Sequence, residues 1–189
     1  MNAVMNEPTR HSLSVDDYYR MAEVGILAPD ARVELIEGEI IDRVPIGCTH
    51  ASVVDYLNRM LVLAVGDSAI VRTQNPVRLD NYSEPEPDFA ILKPRQDSYR
   101  KSHPTADDVF LLIEVSDSTL RYDRNIKMPL YAKFGVPAVW IIDVAAQRLH
   151  IYNELQQGKY LAESLIEDFQ DTSLPLLEDV SLILKELFV

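Results

Sequence analysis

The sequence predicts an α/β fold, a central mixed β-sheet flanked by α-helices, with a β-hairpin toward each end of the chain. Three observations predict it. The order of patterns is helix, several strands, helix, strand, which suits one sheet with helices on its faces. The run Val109-Phe110-Leu111-Leu112-Ile113-Glu114-Val115 is apolar apart from one carboxylate, the signature of a strand covered on both sides. The stretch from Val109 to Asp143 reads as strand, helix, strand, a crossover that makes its two strands parallel.

The elements follow in order. Ser14 with Asp17 three positions later marks a helix start and Gly25 a stop. Arg32–Ile36 and Glu39–Val44 read as strands joined at Glu37-Gly38, a hairpin turn. From Thr49 to Val65, Val53, Val54, Leu57, Met60, Leu61 and Ala64 recur at helical spacing. Ala69–Leu79 is strand-like and Asp80–Glu86 is rich in turn residues. Phe89–Leu92 and Val109–Val115 are buried strands. A helix is expected over Leu120–Phe134, stopped at Gly135, although Pro129 should either kink it near Asn125 or start it, with Lys127 in the preceding loop. Pro137–Asp143 is a further strand. Arg148–Glu154 and Tyr160–Ile166 form a closing hairpin, and Leu182–Leu187 a short terminal helix.

At 189 residues the chain amounts to a single domain, read as residues 14–189 behind a flexible N-terminal arm, residues 1–13. Thirty acidic against eighteen basic side chains leave a net charge of −12, which repels phosphate backbones and argues against a protein that coats nucleic acid. It does not exclude a nuclease, whose site can be acidic because it holds a metal ion. The longest apolar run, Met60 to Val65, falls far short of the ~18 residues that suggest a membrane span, so no membrane is expected. The first ten residues carry no apolar signal-peptide core. Cys48 is the one cysteine, which permits no internal disulfide and no cysteine-based zinc site, and is expected to act as a small apolar side chain. A reducing, cytoplasmic setting follows as the expectation.

Charge in apolar surroundings singles out the candidate site. Glu114 lies within a strand interior, where an unpaired carboxylate costs several kcal/mol and needs a cation, hydrogen bonds or a proton. The alternative is a strand-end carboxylate paired with an arginine or capping the Ser116–Thr119 turn. Asp88 enters the strand Phe89–Leu92 behind Pro85-Glu86-Pro87. Alone it reads as turn chemistry, but beside Glu114 it makes two hard oxygen ligands for a divalent metal. Asp123, Lys127 and Tyr131 share one stripe of the expected helix at i, i+4 and i+8, which could carry Lys127 to the carboxylates or leave it solvated against Asp123. Glu34, in Val33-Glu34-Leu35-Ile36, is either a further acidic ligand or the polar face of an edge strand. His50, at the front of the long helix, is expected to be structural. There is no glycine-rich phosphate loop, nucleophile elbow or paired-histidine zinc motif.

These residues resemble a known family. Pro87-Asp88, the run Glu114 to Thr119, then Asp123, Lys127, Tyr131 and Gly135-Val136-Pro137 ahead of Trp140 are similar to the Uma-type family of restriction-endonuclease-like proteins, as is Glu34-Leu35-Ile36-Glu37-Gly38-Glu39-Ile40. The resemblance runs from about Ser14 to Tyr160. It implies the PD-(D/E)xK nuclease superfamily and its fold, with Asp88 and Glu114 as the motif acids that carry metal. The lysine usual two positions after the glutamate is replaced here by Ser116, and Lys127 matches the downstream lysine of Uma-type sequences. Ala138 stands where the family often has a glutamate.

What the resemblance implies is a metal-dependent endonuclease acting on DNA. Mg²⁺ or Mn²⁺ would be held by Asp88 and Glu114 with the Val115 carbonyl as a third oxygen. Lys127 would orient the attacking water or stabilise developing charge, and Glu34 would assist. Arg72, Arg78, Arg121 and Arg124 are candidates for phosphate contacts or ordinary surface arginines, and a homodimer would suit double-strand cleavage. The alternative is a non-catalytic binding or assembly module on the same scaffold, in which Ser116 marks a decayed site and the acidic surface meets a protein.

Overall fold

The long amphipathic helix foreseen in the sequence is α2 (Cys48–Val65), and it organises one side of the sheet. Its buried stripe, Val53, Val54, Leu57, Leu61 and Val65, packs with Phe89, Ile91, Leu111, Ile113, Trp140 and Ile142 into one core layer. The structure, a computed structural model, describes residues 10–169, 173–177 and 180–188. Before α2 come α1 (Val15–Glu23) and the hairpin β1 (Val33–Ile36) and β2 (Glu39–Asp42), a two-stranded sheet of its own. Helix α1 starts at the Ser14–Asp17 capping box that the sequence signalled.

The main sheet has six strands in the order β3-β4-β5-β6-β7-β8: β3 (Ile70–Thr73), β4 (Phe89–Leu92), β5 (Val109–Ser116), β6 (Val139–Asp143), β7 (Arg148–Gln156) and β8 (Lys159–Ile166). All neighbours are antiparallel except β5 and β6, which run parallel as the crossover predicts. The crossover carries a second core layer on the opposite face, where Tyr131 and Val136 meet Ala90, Leu112, Val139 and Ile141.

That crossover helix is uninterrupted. α3 (Leu120–Tyr122) passes through a π-helical turn, Asp123–Lys127, into α4 (Met128–Lys133). Pro129 has no N–H to offer and its ring would press on the carbonyl one α-turn back. The wider turn just before it, with the Met128 N–H bonded to the Asp123 carbonyl, relieves that conflict, so the expected kink becomes a bulge. Gly135, at φ +90°, ends the helix.

Three expectations are corrected. Leu182–Leu187 is not helical: β10 (Val180–Ile183) pairs antiparallel with β9 (Ser173–Leu177), and a turn follows. Leu182 and Leu184 are buried while Ile183 is half exposed, a period of two that a six-residue window misreads as helix. Strand β3 stops at Thr73 rather than reaching Leu79, because Asn75-Pro76 breaks the ladder. Cys48 is exposed at the start of α2 instead of packing as an apolar side chain. The expected arm is described only from residue 10, and the Leu13 N–H already bonds the Gly38 carbonyl at 2.9 Å.

The β1–β2 turn is locked by that contact. Gly38 sits at φ +81°, and a Cβ there would lie 2.5 Å from Ser12 Cβ, whereas Gly25 at φ +77° faces open space. Gly25→Ala should therefore cost only backbone strain, about 1 kcal/mol, and Gly38→Ala about 2 kcal/mol or more. Urea unfolding of the two variants checks this; equal losses would show that the Ser12 contact is slack.

Candidate active site

Asp88 is the residue before β4 and Glu114 the sixth of β5, and the antiparallel register pairs Phe89 with Ile113. Continuing it by one step sets Asp88 opposite Glu114 at the end of the sheet. The pleat sends Leu112 and Glu114 toward the face where Tyr131 packs, so the carboxylate meets the crossover helix. The alternatives left open by the sequence close here: Glu114 is 3% exposed, Asp88 5%, Glu34 3% and Lys127 4%. Glu34 is therefore no edge-strand polar face, and Lys127 is no solvated lysine.

Lys127 joins two strands of different sheets. Its Nζ lies 2.9 Å from Glu114 Oε1 and 3.4 Å from Glu34 Oε2. Tyr131, one turn further along, donates its hydroxyl to the same Glu114 Oε1 at 2.5 Å, while Oε2 accepts from neither. Glu34 Oε2 also accepts the Glu86 N–H at 3.0 Å, and Arg43 pairs with the Glu86 carboxylate. Burial disfavours the Lys127 charge, but Glu114 and Glu34 outweigh it and hold its pKa well above the ordinary lysine value.

Asp88 is held differently. Oδ1 faces His50 Nε2 at 3.2 Å and accepts from Gln74 Nε2 at 3.1 Å; Oδ2 accepts the Val115 N–H at 2.8 Å. Burial pushes its pKa up, yet these bonds from His50, Gln74 and Val115 prevail and keep it below the usual carboxylate value. Asp123 accepts hydrogen bonds from Ser116 Oγ at 2.7 Å and Thr119 Oγ1 at 2.6 Å, so the serine at the usual lysine position anchors the crossover helix.

These groups line a cavity of about 640 Å³. Ile41, Val44, Pro45, Ile46 and Ile126 form apolar wall, and Arg32, Arg43 and Arg121 are its arginines. Of the four arginines considered from sequence, only Arg121 lines it. Arg78 and Arg124 are engaged with Asp16 and Glu163, and Arg72 lies in β3. Sequence reasoning passed over His50 and gave no role to Gln74, Glu86 or Arg43. Pro85-Glu86-Pro87-Asp88, one charged pair beside an apolar strand, was the available signal for Glu86.

Positive charge is short at this floor. Six acids, Glu34, Asp42, Asp88, Glu114, Asp117 and Asp123, line the cavity against Arg32, Arg43, Arg121 and Lys127, and Arg43 is paired with Glu86. Burial raises Glu114 to about 8 despite Lys127, and Asp123 and Glu86 are also pushed above their ordinary values, chiefly by burial. Two buried polar atoms of the cavity's residues, His50 Nδ1 and Tyr122 Oη, have no partner among the described residues. Hard carboxylate oxygens, an acid surplus and unspent polar atoms fit a hard divalent cation that keeps several waters. Among the described residues no group of three or more His, Cys, Asp or Glu side chains is arranged as a ready-made cage.

The Glu114 shift predicts a pH dependence. Between its unperturbed value of 4.5 and about 8, the folded protein keeps a proton that the unfolded chain releases. Stability without added metal should thus fall as pH rises across that window, and less so in Glu114→Gln, which has nothing to lose. Urea unfolding in EDTA from pH 5 to pH 8 reads the difference; parallel curves would mean that Glu114 is ionised throughout.

Lys127→Met should destabilise the fold by about 3–5 kcal/mol, because it removes the buried cation on which Glu34 and Glu114 converge. Adding Glu34→Gln should recover part of the loss in the same unfolding assay, whereas additive losses would show that the two side chains are uncoupled.

Comparison with known proteins agrees with this architecture. The model of the Uma2 family, described as "Putative restriction endonuclease", matches residues 15–185. Among solved structures, a protein from Anabaena variabilis described as "a putative nuclease belonging to DUF820" shares the fold with a TM-score of 0.70. It is 17% identical, and the match covers 93% of this chain and 97% of that one. No curated protein matches the chain.

Proposed function

The chain belongs to the Uma2 family, and from that premise we propose that it is a metal-dependent endonuclease hydrolysing phosphodiester bonds of DNA. The observation that carries the reading is the buried Lys127 ammonium between Glu34 and Glu114, at the bottom of a cavity to which Asp88 also contributes. Mg²⁺ or Mn²⁺ held by Asp88 and Glu114, with the Val115 carbonyl as a third oxygen, would supply charge neutralisation and a lowered pKa for a bound water.

The chain's own groups have separable tasks. Three donors fix the Asp88 carboxylate in one orientation, so its oxygens need no rearrangement on binding. Tyr131 and Lys127 converge on Glu114 Oε1, which fixes that carboxylate and leaves its second oxygen for a ligand. Lys127 is kept charged by two glutamates and stands within reach of a water or phosphate oxygen at the floor, where a fixed ammonium stabilises charge developing on the phosphate. Glu34 acts on Lys127 rather than on the substrate. Arg121 supplies positive charge in the cavity wall for an incoming phosphate.

Two observations favour the second reading, a binding or assembly module. Glu114 already has an internal cation, and no three-ligand cage exists among the described residues. Metal titration separates the two. The nuclease should bind Mn²⁺ at micromolar to millimolar concentration and weaken by on the order of tenfold or more in Asp88→Asn and Glu114→Gln. Lys127→Met should retain Mn²⁺ but nick supercoiled plasmid on the order of 10²–10³-fold more slowly. Absence of Mn²⁺ uptake, or nicking that survives Glu114→Gln unchanged, would overturn the proposal.

A further inference from the structure

The first part of the connection between β4 and β5 reverses the charge of the molecule, ahead of Asp107 and Asp108 at its end. In a chain of net −12, residues 93–103 carry Lys93, Arg95, Arg100 and Lys101 against Asp97 alone. Lys93, Arg100 and Lys101 are exposed, and no ion pair reaches any of the three among the described residues. Arg95 serves the loop itself. It bonds Asp97 at 2.6 Å, reaches Ser102 Oγ at 3.4 Å, and lays its guanidinium 3.9 Å from the centre of the Tyr99 ring. Tyr99 is buried and donates its hydroxyl to the Lys93 carbonyl at 2.7 Å. The loop is thereby tied into one shape, with its remaining cations turned to water.

Arg72 on the edge strand β3 completes the cluster. Its Nη1 is buried without an acceptor among the described residues. Burial and then the nearby Arg95 charge both disfavour its guanidinium. Like charges brought together around an unsatisfied donor describe a place that lacks an anion. We propose that the exposed Lys93, Arg100 and Lys101, on a loop braced by Arg95, form with Arg72 of the neighbouring edge strand a second nucleic-acid contact, a phosphate-backbone site that runs from beside β4 to its far end from the cavity. The identity of the polyanion rests on the nuclease reading; the site itself rests on the loop. Five residue steps lead from Asp88 to Lys93 along the strand, about 17 Å at ~3.4 Å per residue, or about five phosphate steps of a B-form strand. The acidic cavity repels a polyanion, so capture by this loop would hold the strand while one phosphate enters.

The test is the salt dependence of DNA binding by the full chain in EDTA, read by anisotropy of a labelled 20-base-pair duplex. The triple variant Lys93→Gln, Arg100→Gln, Lys101→Gln should bind at least tenfold more weakly at low salt. Its plot of log affinity against log salt should be shallower by about 2–3, near 0.9 per lost phosphate contact. Arg72→Gln should weaken binding further. A control with the same change in net charge, Arg10→Gln, Arg148→Gln, Lys159→Gln, should lose much less. Unchanged affinity and slope in the triple variant, equal loss in the control, or equal binding of polyglutamate would overturn the proposal. Mn²⁺ binding by the triple variant should match the wild type. DNA held through the loop without Mn²⁺-dependent nicking would sink the nuclease reading alone, while nicking with a silent loop would sink this inference alone.

Discussion

The buried ammonium of Lys127 is the constraint on which the site depends. Glu34 and Glu114 come from different sheets, and both are nearly inaccessible to water. A buried carboxyl group left without a partner is costly whether it keeps its charge or its proton. Lys127 makes both tolerable and ties the β1–β2 hairpin to the six-stranded sheet. Removing it would loosen a packing contact between two parts of the fold as well as a charge. The hairpin's own closure, where Gly38 meets Ser12, is therefore part of the site's construction although it lies outside it.

One cation nevertheless does not balance the floor. Asp88 is held anionic by three donors, while Glu114, Asp123 and Glu86 are driven toward their protonated forms. The two kinds of carboxyl group describe different preparation. On the proposed reading, Asp88 would bind a cation without change, whereas Glu114 would first lose a proton. Cation binding at Asp88 and Glu114 would then be linked to proton release.

The sheet and its order were legible because burial writes directly on sequence. Val109–Val115 is apolar on both faces, and α2 carries its stripe at helical spacing. Glu114 stood out for the same reason: one carboxylate in such a run has no neutral explanation. Lys127 was visible only as a spacing, since a lysine on a helix looks alike whether it faces water or a core. His50 and Gln74 were illegible as site residues. Their role comes from the meeting of α2 and the segment after β3 at Asp88, a contact between residues far apart in the chain. The terminal strand β10 was misread because six residues hold too few periods to distinguish two from 3.6.

Ser116 and the π-helical turn belong to one solution. A lysine at position 116 would stand on the same strand face as Glu114, two residues along, with only the strand's own rigidity to aim it. Here that position holds a small hydroxyl, which bonds Asp123 and pins the first turn of the crossover helix against the end of β5. The helix can then deliver Asp123, Lys127 and Tyr131 to the sheet together, and the widened turn before Pro129 brings the first two onto one inward face. The lysine is aimed by a helix packed along Tyr131 and Val136 instead of by a strand end. Moving the cation from strand to helix costs a wider turn, and in return the same element also supplies Tyr131, whose hydroxyl fixes the glutamate that the lysine serves.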